Sequence, residues 1–233
     1  MSPIGPRSLA VAVLTVMLAA GCTTSPHSVK VIRDADTDLV PGERMAIVLT
    51  RYRREGTDIS ELEPVEGTLE PCVRLPMEEA GRNFMFLPPQ EFRNAIPANA
   101  LGAAGSKPPA GVLHELAAAP VAEKLAEARV RYVVLLDASY ETSPARLGAH
   151  SGGQGGIAVV NEWRQYSTIE ATILDLKYGK VSGSVRTRSI GAEGGGVGLI
   201  YIIPFPLYYN TMTESGNCGA LGKELDNFFA PTT

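Results

Sequence analysis

The chain has 233 residues, of which 45% are hydrophobic and 20% are charged, with a formal net charge of −4. This length suits one domain with a real hydrophobic core. The mild acidic excess argues against nucleic acid as a partner, because phosphates require clustered Lys and Arg.

The first 21 residues have the anatomy of a signal peptide. Arg7 is the only charged side chain before Cys22, and residues 9–20 form an apolar run too short to span a bilayer comfortably. The run closes with Leu-Ala-Ala-Gly-Cys, which resembles the lipobox of bacterial lipoproteins. The resemblance implies cleavage before Cys22 and a lipid on its sulfur, so the membrane is a predicted partner. An ordinary secretory leader is the alternative.

The residue after the cysteine bears on the membrane in which the protein is located. Thr23 stands where, in related lipoproteins, Asp retains the protein in the inner membrane. The resemblance therefore implies a lipid-anchored protein on the periplasmic leaflet of the outer membrane.

Residues 22–42 are predicted to be a polar tether ahead of a single globular domain over residues 43–230. Asp34, Asp36 and Asp38 stand two apart but lack the Gly and Glu of a calcium loop, which indicates a solvated linker. The histidines do not have metal-ligand spacing, and the glycine clusters do not open a helix after a strand as phosphate loops do. We expect no metal and no cofactor.

The first half of the domain alternates strand and helix signals. Apolar runs predict strands at residues 44–50, 83–87 and 130–137. Helices are predicted near residues 70–72 (short or kinked), at 91–96 and from Pro120 onward. Loops are predicted at residues 53–68, 97–111 and 143–156. A helix followed by a strongly apolar strand is typical of a parallel crossover, which places 130–137 centrally in the sheet.

The second half predicts an antiparallel hairpin. Residues 166–176 and 181–190 both alternate, on either side of a turn at residues 177–180. A final helix is predicted from Asn217. The fold class is therefore α/β or α+β: one mixed-sheet domain flanked by helices, with an antiparallel hairpin.

Two cysteines remain after Cys22. An even pair in an exported protein predicts a disulfide between Cys72 and Cys218. Two buried free thiols are the alternative.

The segment 199–209 is almost wholly apolar and is broken by two prolines. Its four aromatic side chains are a candidate surface for a protein partner, and they are Tyr201, Phe205, Tyr208 and Tyr209. A strand packed in the core is the competing interpretation.

No catalytic motif is present. The chain has neither a Gly-x-Ser-x-Gly elbow nor a P-loop. If the protein were an envelope hydrolase, its acid–base groups would be Asp137, Glu141 and Glu170. We expect no catalytic residues and no enzymatic activity.

Two sets of residues carry a family resemblance. The run from Asp175 to Lys180, Asp-Leu-Lys-Tyr-Gly-Lys, ends one strand and precedes a strand of small residues, which is similar to periplasmic lipoproteins of the curli-secretion and penicillin-binding-protein-activator type. The second set resembles a group of proteobacterial outer-membrane lipoproteins and comprises Cys72, Cys218, Phe92-Arg93 and Arg131-Tyr132.

These resemblances imply a location in the cell envelope and a mixed sheet that is flanked by helices. They favour a non-enzymatic assembly, secretion or activator factor that binds another envelope protein. The alternatives are an oligomeric pore component of the outer membrane, with residues 197–209 inserting, and a periplasmic hydrolase.

Overall fold

The computed structural model describes the following residues: 27–34, 37, 42–81, 84–97, 99–101, 107–152, 156–200, 203–210 and 213–230. Among them are nine strands and five helices. The chain divides into two compact units. The main unit comprises His27–Thr142, Gln165–Ile190 and Thr213–Thr233. The hairpin unit includes Ser143–Arg164 and Gly191–Met212.

The main unit is built on a mixed sheet. In spatial order it comprises β1 (His27–Arg33), the part of β8 (Lys180–Ile200) up to residue 190, the part of β7 (Gly156–Asp175) from residue 165, β5 (Val130–Thr142) and β2 (Arg44–Arg54). β2 and β5 run parallel, while β5 with β7 and β1 with β8 are antiparallel. The outer side of β2 is shared by β3 (Thr57–Asp58) and β4 (Met85–Leu87). The predicted fold class, the parallel crossover and the alternating hairpin strands are confirmed.

Helices cover the sheet from two sides. One core lies beneath α1 (Glu63–Glu79) and α5 (Thr213–Phe228). A second core lies beneath three shorter helices, α2 (Pro89–Ala95), α3 (Pro109–Leu116) and α4 (Ala119–Glu127). Met45 and Ile47 belong to the first core and Ala46 and Val48 to the second, so β2 is buried on both faces, as its continuous apolar run predicts.

Helix α1 is longer than the sequence predicts. Pro71 and Pro76 lie inside its 17 residues, and each removes a backbone donor. The helix nevertheless continues, because Leu69, Val73 and Met77 recur every fourth residue and are buried in the first core. Tertiary packing here outweighs the local helix-breaking tendency.

Strand β1 corrects the predicted tether. Residues 27–33 pair antiparallel with β8, from His27 opposite Ser189 to Arg33 opposite Gly183. The strand is held by backbone pairing with β8 along residues 27–33, because its sequence has no continuous apolar run. Its end is held by the Arg33 guanidinium, which donates to the carbonyl of Ala230 at 2.7 Å.

The hairpin unit corrects the loop predicted at residues 143–156. β6 (Arg146–Gly152) pairs antiparallel with the start of β7, and the end of β8 pairs with β9 (Ile203–Asn210). The glycines of these segments weaken the strand signal in the sequence, but cross-strand backbone pairing accommodates them. Within the described parts of the chain, no helix is both long enough and apolar enough to cross a membrane.

Candidate functional site

A first arginine site closes the outer side of β2. Leu49 lies between the stretches of β2 that pair with β4 and β3, so on this side its backbone groups have no neighbour among the described strands. Glu66 accepts from the Leu49 N–H at 2.7 Å, and Arg93 donates to the Leu49 carbonyl at 3.0 Å. The same guanidinium binds the Glu66 carboxylate at 2.8 and 3.2 Å. We call Glu66, Arg93 and the Leu49 backbone the closed site.

A second arginine site lies where β2 and β5 begin. Arg131 is 6% exposed and donates to Glu43 at 2.8 Å and to Asp175 at 3.4 Å. The fully buried Asp175 carboxylate also accepts from the N–H of Lys177 at 2.9 Å and of Tyr178 at 3.3 Å, which holds the β7–β8 turn. We call Arg131, Glu43 and Asp175 the open site.

The charges of the open site stabilise one another. Burial disfavours the charged form of Arg131, but the hydrogen bond to Glu43 and the nearby Tyr132 and Asp175 outweigh it and raise its pKa. Burial, followed by the charge of Asp175, raises the pKa of Tyr132 well above its ordinary value. Arg131 is therefore a permanent cation beside a neutral phenol.

The open site borders a cavity of about 670 Å³. The cavity lies between α3 and α4 on one side and the starts of β2 and β5 on the other. Its walls are mostly apolar, and three cations reach it, namely Arg129, Arg131 and Lys177. Sequence reasoning missed this cavity, although a charged residue inside the apolar run 130–137 is a signal that a buried partner exists.

The predicted acid–base residues lie on one face of the sheet. Asp137 is directly opposite Glu170, and Glu141 is opposite Tyr166. Each carboxylate of the first pair has an arginine partner: Arg53 lies 3.7 Å from Asp137, and Arg186 lies 2.6 Å from Glu170. Partial burial raises the pKa of Asp137, with Arg53 and Arg51 acting in the opposite direction. Across the sheet the charged groups follow the order Arg53, Asp137, Glu170 and Arg186, so two neighbouring carboxylates are flanked by arginines.

The outer edge of the sheet at β1 carries apolar side chains in solvent. Val29, Val31 and Ile32 are 45%, 43% and 55% exposed. β8 is the only described strand that pairs with β1, so the other side of the strand has no described strand neighbour. Ile32 also lines a groove of about 380 Å³ with Val181 and Glu170. We call residues 28–32 the β1 edge.

The predicted disulfide is present. Cys72 of α1 and Cys218 of α5 are joined, with their Cα atoms 5.8 Å apart. Gly222 lies one turn further along α5, where a Cβ would clash with the Val73 carbonyl and crowd Pro76. The crosslink and the close backbone approach both join the two helices of the first core.

The remaining predicted sites are only partly described. Cys22 and Tyr201 lie outside the described residues. The other three aromatic residues lie in β9, where Phe205, Tyr208 and Tyr209 are opposite Gly198, Gly195 and Gly194 of β8. Their role in partner binding stays a prediction. Among the residues that the structure describes, no three His, Cys, Asp or Glu side chains form a metal-binding group.

The sequence matches no protein-family model and no curated protein. Among solved structures, the chain is similar to the PelC dodecamer from Paraburkholderia phytofirmans, with 14% identity over 88% of this chain and 99% of that chain, at a TM-score of 0.38. It is also similar to a DUF330 protein from Xanthomonas campestris, with 11% identity over 88% and 93% of the two chains, at a TM-score of 0.29. Both similarities are distant and carry no argument about function.

Proposed function

We propose that this chain is a lipid-anchored envelope protein that works without catalysis, by binding an extended segment of another envelope protein along the β1 edge. In cellular terms it acts as an assembly, secretion or activator factor. The observation that carries the proposal is the β1 edge itself, a strand with apolar side chains in solvent and one side without a described strand neighbour.

An open strand edge recognises another chain through its backbone. Its N–H and C=O groups pair with an added strand, and alternate side chains of that strand select the partner. On β1, Val29 and Val31 lie on one face and Lys30 and Ile32 on the other. An added strand would cover apolar side chains on both faces.

Charge specifies the partner further. Lys30 lies directly opposite Arg186, and Ser28 lies opposite Arg188. Like charges in a cross-strand pair repel each other. Glu170 lies within ion-pair distance of Arg186, but the surface as a whole stays basic. The fitting partner segment is therefore extended, apolar at alternate positions and acidic between them.

The lipid anchor would set where this binding occurs. Cys22 precedes His27 by only five residues, which span at most about 17 Å when extended. A lipidated Cys22 would thus hold the β1 edge close to the membrane surface. Partners in the same membrane would meet it at a raised effective concentration.

Site-specific crosslinking in the producing bacterium tests the proposal. A photo-reactive amino acid replaces Val31 in the full chain, and Leu75 is the matched control because it is 48% exposed on α1. We expect adducts with one envelope protein from position 31 and none from position 75. Equal yields from both positions, or no adduct from position 31, would refute the β1 edge as the interface.

Substitutions then separate the competing surfaces. Val31→Asp should abolish enrichment of the partner, whereas Val31→Thr should retain most of it. If Tyr208→Ala with Tyr209→Ala abolishes enrichment and Val31→Asp does not, the interface lies on the segment 199–209 instead. A detergent-resistant ring in size-exclusion chromatography would favour the pore alternative.

The anchor is tested separately. Radiolabelled palmitate should enter the full chain and should not enter the Cys22→Ala variant. A purified protein that still begins at its initiator methionine would contradict lipidation, while leaving the crosslinking result to stand on its own.

A further inference from the structure

We propose that the cavity beside the open site binds an anionic amphiphile, a single alkyl chain that ends in a carboxylate or a phosphate. This inference is independent of the protein-binding role of the β1 edge. It rests on the walls of the cavity, on its cations and on one unsatisfied donor.

The walls suit an alkyl chain. Among the side chains that line the cavity are Leu113, Leu116, Ala122, Leu125 and Leu176. The volume of about 670 Å³ falls within the range of small-molecule sites, about 300–1,000 Å³. Burial of methylene groups against such walls is favourable in proportion to the area removed from water.

The charges at the cavity have a positive sum. Arg129, Arg131 and Lys177 line it, and the carboxylates of Glu43 and Asp175 oppose them. Three cations against two carboxylates leave one positive charge. A ligand with one negative charge would complete the balance.

Arg131 retains a donor for that ligand. Its terminal nitrogens reach Glu43 and Asp175, but its Nε is buried without a hydrogen-bond acceptor. A buried donor without a partner is unfavourable, so a ligand oxygen that reaches the Nε after a shift of the guanidinium toward the cavity would be stabilising. Arg93 of the closed site differs, since its Nε donates to Glu66.

Arg129 adds an independent observation. Its φ of 55° lies in the left-handed region, where it ends helix α4. Glycine is the ordinary residue at this position of a helix end, because it adopts that conformation without steric cost. The chain instead places a guanidinium there, at the lining of the cavity.

These features together select the class of ligand. An inorganic anion would use the cations but leave the apolar walls in contact with water. A neutral hydrocarbon would fill the walls but leave the Nε of Arg131 without an acceptor. An alkyl chain with an acidic head group satisfies both parts of the cavity.

Calorimetric titration of the full chain tests the proposal with four probes kept below their micelle concentrations: laurate, dodecyl phosphate, dodecanol and inorganic phosphate. We expect dodecanol to bind at least tenfold more weakly than the better of the two acidic amphiphiles. Shortening laurate to octanoate should weaken binding on the order of a hundredfold. Inorganic phosphate alone should not bind, and the stronger of laurate and dodecyl phosphate identifies the head group.

Three variants locate the site. Arg129→Gly suits the backbone at φ 55° and should weaken laurate binding about three- to tenfold while leaving dodecanol unchanged. Ala126→Trp should block every amphiphile, because Ala126 is an exposed residue of the cavity lining. Lys124→Gln is the matched control, an exposed cation on the same helix that does not line the cavity.

Two results would overturn the inference. Equal affinities for laurate and dodecanol would remove the role of the cations. Binding that survives Ala126→Trp would place the ligand elsewhere on the chain.

Discussion

The closed site and the open site each contain an arginine that is paired with a carboxylate, but only the open site borders a cavity. In each, an arginine contacts a buried carboxylate, Glu66 or Asp175, at the margin of the same sheet. Arg93 directs its bonds to Glu66 and to the carbonyl of Leu49. Arg131 reaches two carboxylates and still has a buried Nε without an acceptor, beside a cavity.

The comparison shows how to distinguish a structural ion pair from a candidate binding site. At the closed site the guanidinium substitutes for a missing strand neighbour, so its hydrogen bonds belong to the fold. At the open site three cations stand against two carboxylates, and the Nε of Arg131 has no acceptor. The surplus donor and the adjacent apolar volume, rather than the buried arginine itself, are what point to a ligand.

Removing the disulfide should have the largest effect. Cys72→Ser with Cys218→Ser releases a loop whose ends are 146 residues apart, and the loop-entropy model predicts a loss of about 5 kcal/mol in the free energy of unfolding. Denaturant unfolding measures the loss. Because α1 carries Glu66 and no residue of the open site, amide exchange at Leu49 should accelerate more than at Lys177. Equal acceleration would show that the crosslink supports both sites alike.

Breaking the closed site comes next. Arg93→Met leaves the Glu66 carboxylate buried without its counter-ion and should lower the free energy of unfolding by about 3–5 kcal/mol. Arg74→Met is the control, since Arg74 pairs with two carboxylates on the more exposed side of α1 and should cost no more than about 1 kcal/mol. Similar losses from the two variants would rank the closed site with ordinary surface pairs.

A conservative change at the open site should cost less. Arg131→Lys keeps a cation between Glu43 and Asp175 but gives up one charge-assisted hydrogen bond, so we expect a loss of about 1.5–3 kcal/mol in chemical denaturation. A loss as large as that of Arg93→Met would mean that the open site is as essential to the fold as the closed one.

The smallest effect concerns carboxylates that contact arginine near the surface, and it should depend on pH. Burial raises the pKa of Asp137, because the folded state favours the protonated carboxyl group. The protein therefore loses stability as the pH rises above about 4. Asp137→Asn should therefore become progressively more stable than the wild type over that rise. Thermal unfolding between pH 3 and pH 7 measures the difference.

Asp58 supplies the control of opposite sign. A hydrogen bond from Arg51 lowers the pKa of Asp58, so its contribution is present above about pH 4 and is lost as the pH falls. Asp58→Asn should thus lose stability relative to the wild type at neutral pH. If the stabilities of the two variants relative to the wild type changed with pH in the same direction, contact with arginine, rather than burial, would decide the direction of the pKa shift.

Much of the main unit follows from local pattern. The apolar run from Met45 to Leu49 predicts a strand buried on both faces, and the alternation along 166–176 predicts the strand that β7 forms there. The cysteine pair predicts the disulfide between α1 and α5. The strands depend on residues that are close together in the sequence. The disulfide is predicted from the even number of cysteines after Cys22, which the sequence also gives.

The rest depends on contacts between distant residues. α1 continues past Pro71 because β2 and α5 bury its apolar face, and the sequence of the helix does not contain that information. Strands β1, β6 and β9 form only as neighbours of β7 and β8. The cavity beside Arg131 arises where two helices meet a turn, so no single segment encodes it.

The place of β1 in the sheet bears on biogenesis. If the chain is exported as proposed, His27 enters the envelope early, whereas its register partner Ser189 follows only near the end of the chain. Strand β1 therefore cannot pair with β8 until residues 183–189 have also crossed. A modifying enzyme acting at Cys22 would have that interval in which to work before the sheet closes.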